Sequence, residues 1–451
     1  MPAIRSAVAV LIPLLSAVCA GQSTKSNYDD AAAMVRQGKA ELAIPLLTRL
    51  SAQSPRDLRV INLLGIALSA AGRKEEAETQ FMQALKLDPG FMPAVKNLAL
   101  NQLALATGYA NAHQNAKAAE ALSHLPAHAG SALHFEAGLL LARLERYADA
   151  AREFELARPG AADPYQVDFN LALASVKAGN YRAAISVAER VIGGGKTTSE
   201  IYSLLSQALE GSGKTTQAYE ALRSATLANP LDEAPYLELM ALCAEHENFD
   251  LSLKIAGAGI HALPASHRLL IQRGIVLAMM ARFAEAEKDF RSASELAPRD
   301  TVAPVARALV LMRTERTAEA VEDLRRQPDD YLVSWLLAEA LTRLGSENPE
   351  AITQLEKSIR LNPEFSESRL LLGKLLLAQG NTRGAITQLE KSLQLDPANI
   401  PATYQLATAY RKNGETARSA ALFATVSKAK SEEKDDTTSA GFLRLLRQKP
   451  R

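Results

Sequence analysis

The 451-residue chain carries 51 Lys and Arg residues against 50 Asp and Glu residues, and this balance lacks the basic excess of a nucleic-acid-binding protein. Hydrophobic residues make up 47% and aromatic residues only 5%, a composition that suits closely packed, alanine-rich helices. A chain of this length exceeds one compact core and favours an array of repeats.

Residues 1–20 combine one positive charge, Arg5, with a following apolar run. This pattern predicts a secretory signal peptide that is cleaved after Ala20, with Val18 three positions before the cut. We therefore expect an exported protein, periplasmic or extracellular, without an integral membrane segment once the signal is removed. An uncleaved membrane anchor and an apolar capping helix are the alternatives, and Pro13 counts against a packed helix.

Residues 24–433 divide into about twelve consecutive blocks, and the block 58–91 shows their pattern best. Apolar residues at i, i+3, i+4 and i+7 predict the core-facing stripe of its first helix. The residues of this stripe are Ile61, Leu64, Gly65 and Leu68.

The second half of this block predicts a helix that packs on the first. Gly72 supplies a turn residue, and Pro89 stands where the second helix must end. Gly65 and Ala77 are small residues where the two helices cross, and Phe81 fills the seam between them.

Equivalent residues recur at the same spacing in other blocks. They are Gly138, Ala150, Phe154 and Ala157 in block 131–164, Gly274, Ala286, Phe290, Ala293 and Pro298 in block 267–300, and Gly373, Ala385, Leu389 and Pro397 in block 366–399. The pattern resembles the tetratricopeptide repeat of exported bacterial proteins, with Ile61 in place of the usual Trp. The resemblance implies an all-α fold, an α-solenoid or superhelix of stacked helix hairpins; an unrelated all-α bundle is the alternative.

Three blocks depart from the regular spacing: 92–130 is long, 301–330 is short, and 331–365 carries an extra residue. In the long block we expect a first helix over Ala94–Ala106. We interpret these departures as bends between groups of repeats. The predicted divisions are residues 24–130 with repeats 1–3, residues 131–330 with repeats 4–9, and residues 331–433 with repeats 10–12.

The tail, residues 434–451, is polar at first and then carries Phe442, Leu443, Leu445 and Leu446 beside two arginines. These residues predict a short amphipathic helix. It would cap the last repeat, the interpretation that we favour, or contact a membrane surface or a partner.

No catalytic motif is evident, so we predict a non-enzymatic protein with no cofactor and no metal site. His124 and His128 have a metal-ligand spacing, but the proline between them favours a surface loop. Gly193–Gly195 precedes a lysine but follows a helix, so it is a turn rather than a phosphate loop. Cys243 occupies a buried repeat position, and removal of Cys19 with the signal leaves no internal disulfide.

In the family that the chain resembles, three positions of each first helix line the concave face. In two adjacent blocks these positions hold aromatic and aliphatic side chains, with a basic residue on the rim and one asparagine able to bond a peptide backbone. The candidate partner-binding residues are Phe135, Leu139, Arg143, Phe169, Asn170, Leu173 and Lys177. Stacking of the two blocks would place equivalent positions side by side, so we expect one continuous patch. The alternative is that the two phenylalanines pack against the neighbouring first helix.

Two other positions qualify this expectation. Trp335 falls near an equivalent concave position, but the extra residue in its block leaves its phase open. Some relatives clamp a peptide carboxylate with asparagines on adjacent repeats; here Asn97 and Asn170 are separated by Glu136, which argues against such a clamp.

The function that these features favour is an interaction scaffold that binds a peptide or a helix of another protein in its concave groove. A structural subunit of a cell-envelope or secretion assembly is the second hypothesis. An enzyme, or the accessory arm of one, is the third.

Overall fold

The computed structural model describes residues 22–345 and 348–432. The predicted signal peptide, Cys19 and the predicted tail helix lie outside these residues. In the described parts of the chain all regular secondary structure is helical, and the helices alternate with short turns to form hairpins.

The chain forms two compact units, with the division between Ala221 and Leu222. The helices that lie wholly in the first unit are α1 (Gln22–Arg36), α2 (Ala40–Gln53), α3 (Leu58–Ala70), α4 (Lys74–Leu87), α5 (Met92–Asn111), α6 (Asn115–Ser123), α7 (Ser131–Arg143), α8 (Tyr147–Ala157), α9 (Pro164–Lys177), α10 (Tyr181–Gly193) and α11 (Ser199–Gly211). Helix α12 (Thr215–Ala228) contains the division.

The helices of the second unit are α13 (Glu233–Glu245), α14 (Phe249–Ala262), α15 (His267–Met279), α16 (Phe283–Leu296), α17 (Val302–Arg313), α18 (Thr317–Arg325), α19 (Tyr331–Leu344), α20 (Pro349–Leu361), α21 (Ser366–Ala378), α22 (Thr382–Leu395), α23 (Ile400–Lys412) and α24 (Thr416–Glu432). The expected series of stacked helix hairpins is therefore confirmed, with hairpin boundaries where the repeat pattern placed them.

The ends of the helices follow from local chemistry. Asp57 accepts a hydrogen bond from the Arg59 amide at the start of α3, and Ser266 does the same for the Leu269 amide at the start of α15. These caps satisfy amides that have no partner within the helix. Helix α4 ends two residues before Pro89, as expected for a residue that cannot continue a helix.

The contact between the two helices of a hairpin depends on a glycine that faces an aromatic ring. A Cβ atom at Gly65 would lie 2.5 Å from the Phe81 ring, and one at Gly138 would lie 2.6 Å from the Phe154 ring. Phe81 and Phe154 are fully buried at these crossings. The predicted roles of Gly65 and Phe81 are confirmed, and Gly274 with Phe290 repeats the arrangement in the second unit.

Polar pairs also join the two helices of some hairpins, and the sequence pattern did not reveal them. Arg273 of α15 donates two hydrogen bonds of 2.7 Å each to the buried carboxylate of Asp289 in α16. Arg307 and Asp323 repeat the pair between α17 and α18. In the first unit, the related contact joins His134 to Glu153.

The irregular blocks differ from their expected form. The long block 92–130 extends its first helix to Asn111, beyond the expected end at Ala106, and its second helix, α6, is short. Block 301–330 is shortened in α18, which also has nine residues. The proposed divisions at residues 130 and 330 stay predictions.

None of the described helices combines the length and the apolar character that a membrane crossing requires.

Candidate partner-binding surface

The first part of the candidate surface lies on α7. Gly138 and Leu141 turn into the core of the hairpin, so Phe135 and Leu139, four residues apart, share a different face of the helix. Leu139 is 43% exposed, and Phe135 is half-buried with its ring centroid 5.6 Å from that of Phe154. Arg143 is exposed at the C-terminal end of the same helix.

The second part lies on α9 and repeats this order. Phe169 and Leu173 are half-buried, and Lys177 is exposed at the end of the helix. The Phe169 ring centroid lies 6.2 Å from that of Tyr165, one helical turn earlier. Each helix therefore presents an aromatic residue, a leucine and a terminal cation in sequence.

Asn170 differs from its expected role. Its side-chain Nδ2 donates to the carbonyl of Gln166 in the same helix at 2.8 Å. One N–H of the amide is therefore engaged within α9, and a peptide ligand would compete with this bond.

The structure places the two parts on neighbouring hairpins, with little direct packing between α7 and α9. Helices α7 and α9 both pack closely on α8, and among the described helices no close packing joins α7 to α9. No ring contact of the described residues links Phe135 to Phe169; Phe135 packs instead on the second helix of its own hairpin. The expectation of one continuous patch stays a prediction.

Two further sequence expectations are affected. Asn97 is buried, and its Nδ2 donates to Asn62 Oδ1 at 3.0 Å, so this asparagine serves the contact between α3 and α5. Trp335 is buried too, with its ring at 5.7 Å and nearly perpendicular to Phe365. The Trp335 side chain therefore belongs to the core and is not exposed on a groove surface.

The predicted positions of the histidine pair, of the glycine turn and of Cys243 are confirmed in the described residues. His124 and His128 lie exposed in the connection between α6 and α7. Gly193 is the last residue of α10, and Gly194 and Gly195 form the turn after it. Cys243 is buried, and desolvation raises the pKa of its thiol to about 11. Within residues 22–345 and 348–432, no group of three His, Cys, Asp or Glu side chains is placed to hold a metal ion.

Comparison with family models identifies the repeat. One model described as tetratricopeptide repeat matches residues 34–101 and 376–435, and a second model of the same description matches residues 346–400. These parts of the chain are similar to tetratricopeptide repeats. No curated protein matches it.

Solved structures give weaker similarities. Yeast Tom70 is 15% identical, with 87% of this chain and 96% of that chain covered and a TM-score of 0.47. The Cut9–Hcn1 hetero-tetramer of the APC/C is 14% identical, with 86% and 84% covered and a TM-score of 0.39. YrrB, described as a TPR protein with an unusual peptide-binding site, is 19% identical, with 41% and 96% covered and a TM-score of 0.31. Scores this low assign neither function nor partner.

Proposed function

We propose that this protein is a non-enzymatic interaction scaffold that binds a peptide or a helix of a partner protein on the α7–α9 surface, in the concave groove of its repeats. The observation that best supports this proposal is the exposure of Leu139. Its side chain is 43% exposed, and it lies on α7 between the half-buried Phe135 and the exposed Arg143. Exposed apolar side chains that are grouped on one face favour a docking surface over a solvated one.

The chemistry of the surface indicates the partner. Phe135, Leu139 and Leu173 offer apolar contact area, while Arg143 and Lys177 are exposed cations without an ion-pair partner among the described residues. Apolar anchors of a ligand would contact the first group, and acidic residues would pair with the second. The expected ligand is therefore an extended or helical segment that carries both.

Charge reversal separates binding from folding, because Arg143 and Lys177 contribute little to the core. A displayed peptide library selected on the purified full chain should yield ligands with apolar anchors and acidic residues. The double variant Arg143→Glu, Lys177→Glu should lose them, since each reversed charge repels the ligand. The matched control is Leu156→Ser on α8, a leucine that is 38% exposed outside the surface and whose replacement should leave binding unchanged.

A second variant tests the apolar part. Phe135→Ser with Phe169→Ser should lower the affinity, with aromatic anchors worth about 2 kcal/mol or more each when they are hot spots. Circular dichroism must show retained helicity, because Phe135 also packs on Phe154. Selected peptides that bind both double variants as well as they bind the original chain would overturn the assignment and favour an assembly subunit that uses other faces.

We further propose that the protein is exported. Arg5 and the apolar run that ends at Ala20 support this location. N-terminal sequencing of the mature protein should begin at Gly21, and an intact Met1 would contradict cleavage.

A further inference from the structure

A buried histidine lies where α7, α8 and the connection 124–130 meet. The side chain of His134 is 1% exposed and that of Glu153 is 8% exposed. His134 Nδ1 lies 2.7 Å from Glu153 Oε2, and Nε2 lies 3.1 Å from the carbonyl oxygen of Ala127. One side chain thus joins the two helices of its hairpin to the preceding connection.

The proton count of this group follows from its neighbours. A carboxylate and a carbonyl only accept hydrogen bonds, whereas a neutral imidazole carries one N–H. A neutral His134 beside an ionised Glu153 therefore has one N–H for two acceptors. Both contacts of His134 are hydrogen bonds only when the His134–Glu153 pair holds one additional proton. Loss of that proton leaves two buried acceptors facing each other, a costly arrangement away from water.

The electrostatic surroundings agree with a retained proton. Burial alone would lower the pKa of His134, but the hydrogen bonds to Glu153 and to the Ala127 carbonyl, with the charge of Glu153, outweigh burial and raise this pKa above its ordinary value of 6.5. Glu153 is the one charged group of the described residues that contacts the ring.

Other charged groups near the pair are compensated or solvated. Glu153 also borders a cavity of about 220 Å³ between α6 and α8, which Glu120 lines from α6. The carboxylate of Asp149 in α8 accepts hydrogen bonds from two arginines. Arg146, just before α8, lies at 2.6 Å, and Arg152 of α8 lies at 2.5 Å. Histidines 124 and 128 of the connection are exposed. The cavity offers water a route to the Glu153 carboxylate once the pair opens.

We propose that His134, Glu153 and the Ala127 carbonyl form a proton-dependent latch that fixes the connection 124–130 to the α7–α8 hairpin. The latch stands independently of the proposed partner site. Since the pKa of His134 in the folded chain is raised, the stabilisation is complete below pH 6.5 and is lost as the pH rises through that pKa.

The first test is a histidine titration of the full chain. Selective isotope labelling separates the seven histidines by NMR, and His134 should titrate above pH 6.5. Amide hydrogen exchange, corrected for the intrinsic effect of pH, should show the connection 124–130 losing protection through the same titration. The opening equilibrium should change by about tenfold for each unit by which the His134 pKa is raised.

The variant Glu153→Gln tests the mechanism while it keeps a side chain of similar size at position 153. Its amide N–H can donate to Nδ1 of a neutral His134, whose Nε2–H then donates to Ala127, so the extra proton is no longer needed. Protection of the connection in this variant should be independent of pH, while His124→Gln should behave like the original chain. A His134 pKa at or below 6.5, or the same pH-dependent loss of protection in Glu153→Gln, would overturn the latch.

Discussion

Some contacts of single residues were predictable from the sequence, and others were not. Gly65 faces the Phe81 ring at a distance that leaves no room for a Cβ atom, and the repeat pattern predicted both residues. Polar contacts were not predictable in this way: Asn97 bonds Asn62, and His134 bonds Glu153. A polar side chain takes whichever partner the packed helices bring near, so its role depends on geometry that residue spacing does not specify.

Replacement of Gly65 tests the crossing. A helix interior favours leucine over glycine by about 1 kcal/mol, but the clash with Phe81 should outweigh this gain, so Gly65→Leu is expected to lower the free energy of unfolding by about 1–3 kcal/mol or more. Gln83→Leu on the exposed side of α4 is the control and should change little. Equal thermal melting of both variants would contradict this packing.

Helices and turns followed the sequence closely, with an exception in α5. The pattern predicted a helix over 94–106, whereas α5 runs to Asn111 because no proline interrupts the added residues. Most turns inside the described hairpins share one geometry, a left-handed residue that falls at the same repeat position except in the long block 92–130. The described residues with this geometry are Gly38, Gly72, His113, Glu145, Gly179, Gly213, Glu247, Ala281, Glu315, Gly380 and Gly414. Five of them are not glycine, so spacing rather than residue type located these turns.

An exchange of residues at two such turns measures the cost of this geometry. Gly72 has a φ of +83° with no atom near the position of a Cβ, so Gly72→Ala should lower the free energy of unfolding by about 1 kcal/mol through backbone strain alone. Ala281 has a φ of +58°, and Ala281→Gly should relieve the same strain and raise the free energy of unfolding by a smaller amount, since glycine loses more entropy on folding. Denaturant titration of both variants checks the opposite signs. Two changes of the same sign would show that the turns are not equivalent.

At the scale of the whole chain, the repeat spacing predicted the series and the phase of the hairpins that the structure describes. The compact units divide within α12, where the repeat spacing is regular, and not at the irregular blocks. The repeat spacing indicates the number of residues in each hairpin. It does not indicate how closely successive hairpins pack, because that packing depends on the side-chain contacts between them. The α7–α9 surface illustrates the same limit, since equivalent positions were predictable and their mutual contact was not.

The repeat architecture leads to a prediction about how damage spreads. In a stacked array each hairpin is stabilised mainly by itself and its neighbours, so a local clash should loosen a local region first. Gly65→Leu should lower hydrogen-exchange protection in α3, α4 and the adjoining helices. Gly373→Leu, where a Cβ would lie 2.6 Å from Leu389, should do so around α21 and α22. Each variant is the control for the other, and mass spectrometry of peptic fragments would resolve the two regions. An equal loss of protection throughout the described helices in both variants would show that the chain unfolds as one cooperative body, which nearest-neighbour coupling does not allow.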